Sequence, residues 1–292
     1  MKTIAVASMG GGTGKSCIAA VLGKLMKEPM LMDLSCSAAG LRTYAGGEPL
    51  QIMEHARGLR AEIEPSLCTR CGECIRACPL NAISEAIVVD PCRCDGCGRC
   101  REVCVPGAIE LRANVAGRFY YAETDIGLML DTDLEGAYCE DPGMIGRVFA
   151  EGQRKAADRG CALVLVDMPA GIDEMTLPVM RQCDLVLVVT EPTAAEARVL
   201  SGGLQRLREE GIGVLTCLNR ADLNRDKAMV MLDLVMSCGV RNAGKIPFHP
   251  ELPGAVEVAM QDRVKFAGLI PLELRKDYVK LFHTVQFFLE HK

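Results

Sequence analysis

Apolar residues in this chain come in short bursts that end in a small or acidic residue. Longer stretches with helical spacing separate them. Residues 3–8 (TIAVAS) form such a burst and predict a buried parallel strand. A run of glycines follows, and then residues 16–26, where Ile18, Val21, Leu22 and Leu25 fall on one helical face. Residues 29–32 predict a second strand closing at Asp33. Similar strands are expected at 162–166 (ending at Asp167), 185–189 (ending at Thr190 and Glu191) and 214–218 (ending at Asn219). Helical patterns fill 144–159 and 193–210. Strands alternating with helices predict an α/β fold, a doubly wound and mostly parallel sheet covered on both faces. Polar residues recur at the carboxyl ends of the strands, where such sheets bind ligands.

Residues near 60–112 break this rhythm with an internal repeat at an offset of 26 residues. CTRCGECIRACPLNAI (68–83) aligns with CDGCGRCREVCVPGAI (94–109), with seven of sixteen positions identical, all four cysteines among them. The expected organisation is therefore a discontinuous domain, 1–59 and 113–292, carrying an inserted domain at 60–112.

Composition narrows the function classes. Of 292 residues, 49% are hydrophobic and 24% charged, the profile of a chain able to bury a large core. A net charge of −5, with 4% aromatics and no Trp, argues against nucleic acid as a partner. No apolar run reaches membrane-spanning length. The opening MKTIAVASMGGG is too short for a signal peptide, so the expectation is cytoplasmic.

Sixteen cysteines are too many for ordinary core use, and nine of them lie between Cys68 and Cys104. A secreted disulfide scaffold would be short and loop-rich, so metal is the better reading. Each repeat reads C-x2-C-x2-C-x3-C. Three thiolates at that spacing reach three corners of a cubane, while the fourth crosses to the other half's cluster. One set is then Cys68, Cys71, Cys74 and Cys104, the other Cys94, Cys97, Cys100 and Cys78. Two overlapping runs of this kind are poor zinc spacing. Cys92 is off pattern and is taken as a non-ligand. The proline that follows Cys78 directly, as Pro79, comes one residue late in the second repeat, as Pro106. The segment resembles a bacterial-type ferredoxin with two 4Fe–4S clusters.

Gly10-Gly11-Gly12-Thr13-Gly14-Lys15-Ser16 stands between a strand and a helix. Consecutive glycines let backbone N–H groups converge on phosphates, Lys15 adds a charge for the β/γ-phosphates, and Ser16 offers a hydroxyl to Mg²⁺. Cys17 completes the candidate nucleotide-binding stretch. A dinucleotide fingerprint fails, because Lys15 falls where its third glycine should be. Together with VLVDMPAG (164–171), VVTEPT (188–193) and LNRADL (218–223), this loop resembles the MinD/ParA-type P-loop ATPases with a deviant Walker-A motif. The resemblance is nearest to the branch that carries an inserted ferredoxin.

That resemblance implies ATP or ADP with Mg²⁺ as ligands, and a homodimer or a heterodimer with a related ATPase. It places Asp167 in the Mg²⁺ shell with Ser16, Pro169 and Gly171 in switch II, and Asn219 at adenine, with Arg220 replacing a lysine. Lys15 and Asp33 are the candidate catalytic groups. Two positions depart from the family. Its lysine that reaches across the dimer aligns with Gly10, and the glycine before it with Met9. Its water-orienting aspartate, two residues beyond Asp33, is Ser35, a far weaker base.

Weaker features read as structural. Leu274, Tyr278, Leu281, Val285 and Phe288 form an apolar stripe. MinD relatives end in a membrane-binding helix, but lysines are sparse here, and the stripe is expected to pack on the sheet. The seven scattered cysteines (Cys17, Cys36, Cys139, Cys161, Cys183, Cys217, Cys238) and most methionines, Met168 and Met175 included, are expected in the core. His249 reads as a loop residue, and His55, His283 and His291 carry no signal. The leading functional expectation is a nucleotide-binding protein that couples ATP to electron transfer through two clusters, with a redox or metallocofactor client. The alternatives are a cluster-assembly carrier and an enzymatically silent subunit of a heterodimer.

Overall fold

A computed structural model describes residues 1–35, 40–134, 142–252, 255 and 272–291. Cys36 and Cys139 lie outside the described residues, and so does the side chain of His55.

The chain forms two compact units. The larger comprises Met1–Ile52, Tyr120–Thr132 and the chain from Glu140 onward. Its framework strands are β1 (Lys2–Ser8), β2 (Met30–Asp33), β5 (Leu128–Leu134), β6 (Leu163–Ala170), β7 (Leu185–Thr190), β8 (Val214–Asn219) and β9 (Arg241–Ile246). With β3 (Glu48–Ile63) and β4 (Ile109–Glu123) they make a nine-stranded sheet in the order β3-β4-β5-β2-β6-β1-β7-β8-β9. Every described pairing from β5 to β9 is parallel. Strands β2, β7 and β8 are buried at every position, as continuous apolar runs demand when helices cover both faces.

The covering helices are α1 (Lys15–Leu25), α2 (Gly40–Ala45), α5 (Pro142–Asp158), α6 (Leu177–Met180), α7 (Ala194–Glu209), α8 (Arg225–Ser237) and α9 (Leu272–Glu290). A Cβ on Gly23 of α1 would stand 2.9 Å from Ile126 and 3.0 Å from Leu31, so only glycine lets that helix lie so close to the sheet. The apolar stripe on α9 packs as the sequence predicts. Leu274, Tyr278, Leu281 and Val285 are buried with α1, β8 and β9 residues in one core, and Phe288 packs against it. Among the described residues no helix is long and apolar enough to cross a membrane. Cys17, Cys183, Cys217 and Cys238 are buried, while Cys161 is only half-buried.

The smaller unit is Met53–Phe119 with a short stretch beginning at Asp133. It is longer at both ends than the 60–112 segment marked by the repeat, because strands β3 and β4 run through its boundaries. Each repeat supplies one short helix, α3 (Glu73–Ala77) and α4 (Arg99–Glu102). Gly72 and Gly98, at φ 78° and 82°, start these helices in the left-handed region where glycine is at ease. Ala61, Ile83 and Ile109 pack with Cys74 and Cys100 in a core of their own.

Candidate functional site

Two constellations emerge, one in each unit. In the smaller, the fold separates the eight repeat cysteines into two small cavities. Cys68, Cys71, Cys74 and Cys104 line the first. Cys94, Cys97, Cys100 and Cys78 line the second. Each cavity thus takes three cysteines from one repeat and one from the other. The walls are otherwise largely apolar, with Ile63, Ile87 and Ile109 in the first and Ala61, Ile83 and Leu111 in the second.

Backbone N–H groups already point at several sulfurs. Ala82 N–H donates to Cys78 Sγ and Ala108 N–H to Cys104 Sγ, both at 3.3 Å. The two crossing cysteines therefore have the same local geometry, although Pro106 comes one residue late. Arg70 N–H approaches Cys68 Sγ and Ala61 N–H approaches Cys94 Sγ, each at 3.4 Å. Such bonds are the usual outer shell of a cluster thiolate. Among the described residues no three candidate ligands converge closely enough to hold a single metal ion. Four cysteines lining each cavity fit a 4Fe–4S cluster. Cys92 lines neither cavity, and its N–H donates to Asp90 Oδ1 at 2.9 Å.

In the larger unit the glycine loop joins β1 to α1. Gly12 (φ 80°) and Gly14 (φ 87°) are left-handed, and Gly14 is the N-cap of α1. Asn219, at the end of β8, donates from Nδ2 to Thr13 O at 2.8 Å, and a Cβ on Gly14 would lie 2.4 Å from that nitrogen. One of the two Asn219 side-chain N–H donors thus braces the loop. Beside it, Arg220 pairs with Glu191 at 2.8 Å. Ser8 fixes the other end: its hydroxyl donates to Gly10 O at 2.6 Å, and its carbonyl accepts Gly171 N–H at 2.9 Å. Gly171, just beyond Pro169 and the end of β6, is therefore tied to the strand that feeds the loop. Cys17 is buried under the loop with its sulfur 3.9 Å from the Tyr278 hydroxyl, and burial pushes its thiol up to about 11.

The acids gather at the carboxyl ends of neighbouring strands. Asp33 on β2 is in register with Asp167 on β6. On the other side β2 pairs with β5 up to Met32 and Leu130, so the next step of that register sets Asp33 beside Asp131. All three aspartates are buried. Burial and the charge of Asp33 push Asp167 up to about 7, against the pull of Ser16 and Lys15. Burial and Asp33 likewise push Asp131 to about 6, and Arg42, 3.4 Å away, offsets part of this. Burial also raises Asp33, despite hydrogen bonds from Ser35 and Leu41 and the charge of Lys15.

Among the described residues, neither carboxylate oxygen of Asp167 has a hydrogen-bond partner of normal geometry, although both are buried. An unpartnered buried carboxylate is costly, and a cation relieves it. Ser16 stands close by: a Cβ on Gly40 would meet Ser16 Oγ at 2.9 Å and Asp33 Oδ2 at 3.6 Å. Lys15, Ser16, Asp33 and Asp167 thus share one site, and its donor set suits a hard divalent cation such as Mg²⁺. The sequence reading missed Asp131, Gly40 and Glu196. Asp131 alone had a local signal, since LML before it is another apolar burst ending in an acid.

Comparisons with known proteins agree with both halves. The family described as 4Fe-4S binding domain matches residues 61–84. No curated protein matches the chain in sequence. Among solved structures, a chain of the MinC:MinD cell division protein complex of Aquifex aeolicus superposes with a TM-score of 0.57 at 15% identity, covering 98% of this chain and 96% of that one. The cell division ATPase MinD of Pyrococcus furiosus gives 0.54 at 17% identity, with 98% of each chain covered. The McdA(D38A)–ATP complex of Cyanothece gives 0.57 at 17% identity, covering 98% of this chain and 96% of that one. Similarity at this level shows the fold.

Proposed function

From a chain with the MinD/ParA P-loop ATPase fold and a 4Fe–4S binding domain, we propose a nucleotide-binding iron–sulfur protein that couples nucleotide state to electron transfer through two 4Fe–4S clusters. The observation that carries this reading is the crossed partition of eight cysteines into two matched cavities. Cys68, Cys71, Cys74 and Cys104 would hold one cluster, and Cys94, Cys97, Cys100 and Cys78 the other. When bound, such clusters supply one-electron storage. Thiols that already accept backbone hydrogen bonds favour resident clusters over cargo.

In the larger unit the loop amides of Gly11 to Gly14 would cradle the phosphates, with the Lys15 charge at their outer end. Ser16 and the unpartnered Asp167 would hold Mg²⁺, and Asp33 would orient Ser16 and the segment beyond it. Gly171 would exchange its bond to Ser8 for one to phosphate, which makes the end of β6 the element that reads the nucleotide. The family resemblance supports a dimer, either of two copies or with a related ATPase.

A second reading, a catalytically weak subunit, is favoured by one specific observation. Position 10 has no side chain, and Ser35 is bonded back to Asp33. Under this reading nucleotide acts as a conformational latch and a partner supplies hydrolysis.

The test is anaerobic purification of the full chain. About eight irons and eight sulfides per chain, reversible reduction followed by EPR, and a spectral or potential change on adding Mg²⁺–ADP are expected. Zinc in place of iron, or about four irons per chain, would overturn the two-cluster reading. Quantitative transfer of the clusters to an apo-acceptor would favour an assembly carrier.

A further inference from the structure

Glu196 stands at the head of the glycine loop, and nothing in the motifs assigns it a role. It belongs to the first turn of α7, where its N–H donates to the hydroxyl of the N-cap Thr193 at 3.2 Å. In a capping box the glutamate carboxylate would return to the N-cap amide. Here it turns toward the loop. Thr190 Oγ1 donates to Glu196 Oε2 at 3.1 Å, and the Gly10 backbone lies beside the other carboxylate oxygen. The residue is 6% exposed. A Cβ on residue 10 would lie 2.8 Å from Glu196 Oε1, so the carboxylate occupies the way out for any side chain at that position.

A hydroxyl donor on the carboxylate and a backbone amide beside it favour the ionised form. Burial, with Glu191, raises this carboxyl above its ordinary value, while Thr190, the Gly10 amide and Lys15 pull the other way. Lys15 is therefore within electrostatic reach of Glu196 as well as of Asp33 and Asp167, besides whatever phosphate occupies the loop.

We propose that Glu196 is a specificity-determining residue of the nucleotide site, a fixed negative charge at the head of the loop that favours a nucleoside diphosphate over a triphosphate. The inference rests on the nucleotide-binding reading above. The added charge of a triphosphate lies at the outer end of the phosphate chain, where a P-loop lysine reaches. A carboxylate that already draws on Lys15 weakens this contact more than it weakens the inner ones. Coulomb interaction at partly shielded separations is large enough to set such a preference.

The test is calorimetry on the iron-loaded full chain with Mg²⁺–ADP and with the Mg²⁺ complex of a non-hydrolysable ATP analogue. Wild type should bind ADP more tightly. Glu196→Gln keeps the shape and removes the charge, and it should tighten the triphosphate by about ten-fold while changing ADP by about two-fold or less. Gly10→Ala, which pushes the carboxylate aside, should move the ratio the same way and serves if the glutamine variant fails to fold. An unchanged ratio in a folded variant, or a wild type that prefers the triphosphate, overturns the proposal and leaves nucleotide binding standing. Binding of neither nucleotide by wild type, with Lys15→Ala indistinguishable from it, removes the nucleotide reading and this proposal with it.

Discussion

Ser35 is turned inward onto Asp33: its N–H and its hydroxyl both donate to Asp33 Oδ1, the N–H at 2.9 Å. The Leu41 N–H takes Oδ2 at 2.8 Å, so Asp33 joins the end of β2 to the start of α2. An aspartate at position 35 would bring a second carboxylate against a buried one already in register with Asp167. The serine therefore suits its surroundings, at the expense of a group that could orient water.

Slow hydrolysis is the first expectation. A missing cation at transferred phosphate typically costs ~10³-fold or more, and here the water-orienting carboxylate is missing too. Single-turnover ATP hydrolysis by the chain alone should fall at least that far below a relative with both groups. Restoring Gly10→Lys and Ser35→Asp together should help little, because Glu196 would hold the new lysine in its own chain. Adding Glu196→Ala should raise the rate by about ten-fold or more over the double variant. Rates in wild type equal to such a relative would end this account.

Crossed ligation gives the second. Cys104→Ala should damage the cluster held by Cys68, Cys71 and Cys74, although Cys104 belongs to the other repeat. Iron should fall from about eight to about four per chain, and EPR should retain the signal of the cluster at Cys94, Cys97 and Cys100. Cys92→Ala should leave both signals in place. Loss of the cluster at Cys94 instead would show that each repeat ligates its own.

The parallel core was legible because its strands are buried on both faces and so appear as unbroken apolar runs. Strand β9 was not, because RNAGKI buries only Ala243 and Ile246. Strand β3 hides in the same way, since PLQIMEHARGLRAEI mixes exposed Leu50, Ile52 and Leu59 with charges and a glycine. Helix α8 shows Met229, Val230 and Met236 to solvent, which blurs its period. The glycine loop and the cysteines could be read because their spacing is local. Glu196 could not, since its meaning comes from Gly10, far away in the chain and adjacent only once β1 and β7 pair.

Packing of α9 gives the third prediction. Leu281 is fully buried, and a Cβ on Gly244 of β9 would lie 3.3 Å from Leu281 Cβ. Leu281→Ala should cost about 2–5 kcal/mol in denaturant unfolding of the chain. Gly244→Ala should destabilise too, by crowding rather than by a cavity. Loss of less than about 0.5 kcal/mol in both variants would mean that α9 is not seated on the sheet.

The row of Asp131, Asp33 and Asp167 makes stability depend on pH. Burial sets Asp167 at about 7 and Asp131 at about 6, above the ordinary 3.8. Over that interval the folded chain holds protons that the unfolded chain has released. The stability linked to those protons is fully present below the unfolded value and is lost as pH rises through the folded values. Without nucleotide, the chain should therefore lose on the order of 2–4 kcal/mol between about pH 4 and pH 7.5. Asp167→Asn cannot lose that proton, so its melting temperature should fall less steeply over the same range and exceed wild type at pH 7.5. The same substitution removes a ligand for Mg²⁺, so it should weaken Mg²⁺–ADP binding even as it stabilises the nucleotide-free chain. Mg²⁺–ADP should in turn flatten the pH profile of wild type, by giving the unpartnered oxygens a cation. Melting curves from pH 5 to 8 for both proteins, with and without Mg²⁺–ADP, decide the matter. Equal slopes in the two nucleotide-free proteins would mean that Asp167 is solvated or paired in solution, and the carboxylate row would lose its claim to the metal.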